Sequence, residues 1–233
     1  MKGATSPVAT AKYELYALAA TALLFCITDF IHAPRAIFIV ISIISWGSYI
    51  YFNARHGDNL RKWGLVPTWQ ETRGTLKWSG AVFAVALSSM LIWASHDAAV
   101  IIDTNTHQRR GYFITPNFIW LLMVYPFWGC VQQLLVLGIG ARDILILVQA
   151  SQWFATRPQK HAVITTTIVV GVLFGLVHAL AEPSLLFACI AMGIVWVGVF
   201  FKYSCLYPLG AFHGLLGAVF YFMVLRRDPL LEL

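Results

Sequence analysis

The sequence predicts an all-α fold, a polytopic bundle of seven or eight transmembrane helices making a single integral membrane domain over residues 1–233. Three observations carry this. Apolar residues are 59% of the chain, where an ordinary soluble domain has about 45–50%, and charged residues are 11%, where about 25% is usual. Mean hydropathy is +0.74. The apolar residues also fall in runs long enough for a bilayer core of about 30 Å, which takes roughly 20 residues of helix. This composition excludes disorder, a coiled coil and a secreted mini-protein. It argues against a soluble enzyme, since so few charges cannot clothe a water-facing surface.

The elements follow in order. The first run, about 14–32, comes after a polar, Ala/Thr-rich N-terminus (Met1 to Lys12). It is too long for a signal h-region and no small-residue cleavage site follows, so it reads as a retained span. The second run, 36–53, leads into the longest basic connection, 54–76. There Leu60, Trp63, Leu65 and Trp69 suggest an amphipathic segment at headgroup level. A third run at 77–95 precedes a loop, 96–116, in which His96, His107, Arg109, Arg110 and two aspartates lack metal-ligand spacing. The fourth run covers 117–140. A shorter stretch from Asp143 to Ala155, interrupted by Gln149, Ser151 and Gln152, fits an eighth tilted span, an interfacial helix or an extension of the fourth helix. Runs at 161–181, 184–201 and 205–225 complete seven. No internal repeat supports a duplicated transporter.

Net charge is +6 and the sequence pI is about 9.3. In a soluble chain that balance would point to nucleic acid. Here the basic residues sit in short connections between apolar runs, so the expected partner is the lipid bilayer and not nucleic acid. With seven spans and a cytoplasmic N-terminus, the inside collects Lys2, Lys12, Arg55, Arg61, Lys62, Arg73, Lys77, Arg142, Arg157, Lys160 and Lys202. The outside keeps Arg35, Arg109, Arg110, Arg226 and Arg227. Eight spans soften the bias without reversing it. A bacterial plasma membrane with the N-terminus in the cytoplasm is the expected location. Cys26, Cys130, Cys189 and Cys205 are scattered with no CxxC pair and read as free thiols rather than disulfides or zinc ligands.

Function must then lie with the polar residues inside the apolar runs, which cost energy there unless bonded or used. Gln132 and Gln133 lie deep in the fourth span, about 100° apart on a helix, so at least one faces the interior. Phe174, His178 and Glu182, spaced i, i+4, i+8, share one helix face. A His and a Glu so placed suit a general acid/base pair or two metal ligands. Alternatively Glu182, preceding Pro183, ends the helix and is solvated. His213 sits several residues into the last span. Gly171, Gly175 and Ala179 flank the first histidine, and Gly210 and Gly214 the second, at a small-xxx-small spacing that would bring the two imidazoles together.

A polar pair in the fourth span, then Phe-x-x-x-His, then a late His resembles the CPBP family: the CAAX proteases and bacteriocin-processing enzymes, also called Abi intramembrane proteases. The resemblance covers roughly residues 55–225 and includes Trp63-Gly-Leu in the basic loop. It implies that glutamate and histidine activate a water to hydrolyse a membrane-embedded or lipidated peptide or protein. It implies either a divalent metal such as zinc, with His178 and His213 as candidate ligands, or no cofactor. Phe174 and His178 match the family's second motif. His213 matches the third, His-x-x-x-Asn/Asp, but its fourth-following residue is Gly217. The first motif, Glu-Glu-x-x-x-Arg, falls on Gln132, Gln133 and Leu137, with Arg142 nearby but out of register.

Glutamine has no basic carboxylate, and a positioned base typically contributes about 10²–10⁴-fold. Three outcomes follow. His178 acts as base with Gln132 or Gln133 as oxyanion donor; Glu182 supplies the carboxylate; or the site is silent and binds a transmembrane or prenylated segment.

Overall fold

The computed structural model describes the backbone of residues 6–30, 35–54, 59–96, 101–102, 109–110 and 115–228. In chain order these form α1 (Pro7–Phe30), α2 (Arg35–Ala54), a single-turn α3 (Asn59–Lys62) and α4 (Trp69–His96). A two-residue antiparallel ladder, β1 (Ile101–Ile102) with β2 (Arg109–Arg110), precedes α5 (Pro116–Gln133). A π-helical segment, Leu134–Ala141, joins α5 to α6 (Arg142–Ala150). Then come α7 (Gln159–Ala181), a 3-10 turn (Pro183–Leu185), α8 (Leu186–Tyr203) and α9 (Tyr207–Val219), which ends in a π-helical turn, Phe220–Val224.

The all-α architecture of the sequence reading is what the chain adopts. Among the described residues five helices are long and apolar enough to cross a membrane: Trp69–Ser95, Pro116–Ala150, Gln159–Leu180, Pro183–Tyr203 and Tyr207–Val224. That is fewer than seven or eight. The runs expected at 14–32 and 36–53 lie on α1 and α2 but fall partly outside the described residues. The ambiguous stretch from Asp143 turns out to prolong the fourth helix, since helical structure is unbroken from Pro116 to Ala150.

The chain divides into two compact units, each assembled from two stretches of sequence. One comprises residues 1–67 and 134–204, the other 68–133 and 205–233. In the first unit α1 packs on α6 and α2, and α7 on α8. The α7–α8 contact is set by glycine. A Cβ on Gly175 would strike Ile190 and the carbonyl of Leu186, and one on Gly171 would strike the Ile194 side chain and backbone. In the second unit α9 lies against α5 and α4 around Phe118, Leu121, Ala218, Val219 and Phe222.

Local chemistry fixes the helix ends. Thr68 and Glu71 form a capping box at the start of α4: the Thr68 N–H donates to Glu71 Oε2 at 2.5 Å, and the Glu71 N–H donates to Thr68 Oγ1 at 3.3 Å. At the end of α3, Gly64 takes φ 72°. Its N–H donates to the Arg61 carbonyl at 3.0 Å and that of Leu65 to Leu60 at 2.9 Å, the bond pair of a Schellman stop that needs a left-handed residue. This stop seats Trp63 at 3% exposure, with Gly138 packed against its backbone and Cβ. Trp63 is thus a buried anchor of the first unit and not part of a headgroup-level stripe, while Trp69 is exposed.

Candidate functional site

In the second unit the last turn of α5 presents Gln132, and α9 presents His213. Gln132 Oε1 lies 3.0 Å from His213 Nε2 across 81 residues of sequence. The close approach of the two helices makes this possible. A Cβ on Gly129 would collide with the backbone of Gly210 and Gly214, and one on Gly214 with the Tyr125 carbonyl and Pro126 nitrogen. Both polar side chains are half-buried. With the amide oxygen as acceptor, Nε2–H of His213 donates and Nδ1 is the basic nitrogen of the ring.

Gln133, the neighbouring residue, is 1% exposed, and neither its Oε1 nor its Nε2 has a hydrogen-bond partner among the described residues. The position four further on, Leu137, is buried in the π-helical segment. Gly217, four residues after His213, faces the Tyr125 ring, which would meet a Cβ there at 3.5 Å.

In the first unit His178 is half-buried on α7. Its Nδ1 lies 2.7 Å from the Phe174 carbonyl, and its ring centroid is 4.3 Å from that of Phe174. A carbonyl only accepts, so Nδ1 carries the proton and Nε2 is the basic atom in the neutral ring. The Phe174 ring is buried and meets Trp196 edge-on at 6.4 Å.

Glu182 does not stay on the face of His178. The helix ends at Ala181, and Glu182, restricted by Pro183, is extended at φ −151° and ψ 104°. Its Oε1 accepts from Ser184 Oγ at 2.8 Å and from the Ser184 N–H at 3.3 Å, capping the next turn. The i+8 spacing that suggested a His–Glu pair therefore ends one residue too early.

The glycines also act differently from the expectation. Gly171 and Gly175 serve the α7–α8 contact, and Gly210 and Gly214 serve the contact of α9 with α5. The second pair brings Gln132 to His213. Among the described residues no three His, Cys, Asp or Glu side chains converge as metal ligands.

Chemically the Gln132–His213 pair offers a proton-accepting imidazole and an amide that orients it or donates to a carbonyl oxygen. It holds no carboxylate base. The sequence reading passed over a second polar centre, where Asp143 of α6, buried at 3% exposure, lies near Glu14 of α1. A signal existed: Asp143 opens the apolar stretch Ile144-Leu-Ile-Leu-Val, yet beside Arg142 it reads as an ordinary interfacial charge. Compared with protein-family models, curated proteins and solved structures, the chain has no match in any of the three.

Proposed function

We propose that this chain is an intramembrane endopeptidase of CPBP type with slow turnover. It acts on a membrane-embedded or lipidated peptide or protein near the cytoplasmic leaflet of a bacterial plasma membrane, with its N-terminus in the cytoplasm. The observation that supports the reading is the 3.0 Å bond between Gln132 and His213. The resemblance pairs a polar dyad of the fourth span with a late histidine, and these two positions meet. His213 is the proton acceptor for water in this pair, and Gln132 orients the ring and the substrate carbonyl. The resemblance also gives His178 a catalytic role, and with its Nδ1 proton held by the Phe174 carbonyl its Nε2 is the basic nitrogen. Turnover is slow because an amide stands where a carboxylate would draw the proton from water.

That same amide favours a second reading, a silent relative that binds or escorts a membrane partner. Comparison of protein termini in membranes separates the two. One strain lacks the protein, one carries it intact, and others carry His213→Ala or His178→Ala at matched abundance. Termini that appear only with the intact chain are expected. If no terminus changes while the abundance of a co-purifying partner does, the peptidase reading is lost and the binding reading stands.

A further inference from the structure

The first unit contains a cavity that the peptidase reading does not use. It has a volume of ≈ 410 Å³, within the range of about 300–1,000 Å³ usual for small-ligand sites, and is walled by α1 and α2. Its wall is mostly apolar and carries three aromatic side chains, Tyr13, Trp46 and Tyr49. Trp46 is held in place, its Nε1–H donating to Thr21 Oγ1 at 3.1 Å and its ring meeting Tyr49 edge-on at 5.8 Å.

Among the described residues one acidic group, Glu14, lines the same wall. Behind it, on α6, stands Asp143, 3% exposed, whose Oδ2 has no hydrogen-bond partner among the described residues. Arg142 acts on Asp143 but does not line the cavity, and Lys12 is exposed on α1 two residues before Glu14 and does not line it either.

A single negative charge beside aromatic rings in an apolar wall is complementary to one kind of ion. A calcium site is built largely from carboxylate and carbonyl oxygens, and this wall carries a single carboxylate. An ammonium group bearing alkyl substituents needs one counter-charge and π faces for its polarised methyl and methylene groups. We propose that the α1–α2 cavity binds an organic ammonium ion, its charge against Glu14 and its alkyl groups against Tyr13, Trp46 and Tyr49. A free amine and the ammonium headgroup of a lipid share this chemistry.

The full chain, purified in a non-ionic maltoside detergent, is titrated calorimetrically with choline chloride and, separately, with the neutral isostere 3,3-dimethylbutanol. Saturable heat with choline and none with the isostere is expected. Glu14→Gln should weaken choline binding roughly tenfold or more, and Trp46→Leu several-fold. No saturable choline heat, equal binding of the isostere, or an unchanged titration for Glu14→Gln overturns the proposal. If Glu14→Gln is not monodisperse, Trp46→Leu decides by the same criterion. Nanodiscs then identify the source. Choline binding lost in phosphatidylcholine but kept in phosphatidylglycerol identifies the lipid headgroup as occupant, and binding kept in both identifies a free amine.

Discussion

At the scale of single residues, Gln132 decides what His213 can do. An imidazole bonded to an amide oxygen is held in one tautomer, but the amide stabilises its protonated form far less than a carboxylate would. Gln132→Glu places a carboxylate 3.0 Å from Nε2 with almost no change in shape. If the pair is a slowed hydrolytic centre, this substitution should raise cleavage by about 10²–10⁴-fold, the usual contribution of a positioned base. The rate of appearance of the dependent termini measures it. An unchanged rate in a folded Gln132→Glu protein would place the silent-binder reading first. These residues were legible in the sequence because a glutamine or histidine in an apolar run is conspicuous. Of the two readings of Glu182, the shared face with His178 fails because the i, i+4, i+8 count assumes a helix that Pro183 ends, and the helix-end reading holds. Glu14 and Asp143 were missed for another reason. Whether an acid near a span end is solvated or buried depends on which helix packs over it, and local sequence does not say.

At the scale of elements, helix pairing rests on a few glycines whose missing Cβ atoms admit backbone at contact distance. A methyl at Gly214 would meet the Tyr125 carbonyl, and one at Gly175 the Leu186 carbonyl, and neither obstacle can rotate away as a side chain would. Gly214→Ala and Gly175→Ala are therefore expected to destabilise by about 1–3 kcal/mol or more. Gly47, on α2, has nothing within 4 Å of its Cβ position, so Gly47→Ala should be neutral or slightly stabilising, as for an ordinary helix glycine. Thermal unfolding of the three variants in one detergent checks the order. Equal losses for all three would mean that helix propensity, not close approach, governs these positions. Spacing alone announced that these glycines pack helices. It could not announce partners: the same small-xxx-small pattern serves α7 with α8 and α9 with α5, and the second of these contacts brings His213 to Gln132.

At the scale of the whole molecule, the open question in the sequence was the stretch from Asp143 to Ala155. Gly138 and Gly140 ahead of it look like the end of a helix, and a π-helical segment carries no sequence signature that would say otherwise. Because the helix runs on from Pro116 to Ala150, its 35 residues measure about 52 Å, well beyond a core of about 30 Å. Its polar end, with Arg142, Gln149 and the following Arg157 and Lys160, then extends on the side where the other basic connections gather. With the remaining four long apolar helices one crossing here makes five, and crossings by α1 and α2 as well keep the number odd at seven. The N-terminus and the basic loop around Lys62 should be cytoplasmic, and the end near Asp228 external. Reporter fusions after Gly64, Ala155 and Ser204 are expected to read as cytoplasmic, and those after His96, Glu182 and Asp228 as external. A second crossing within 143–155 would leave the first two sites, Gly64 and His96, unchanged and reverse the other four. A fusion after Ala155 that reads as external would therefore restore eight spans and move Arg157 and Lys160 across the membrane, against the charge bias that orients the rest of the chain.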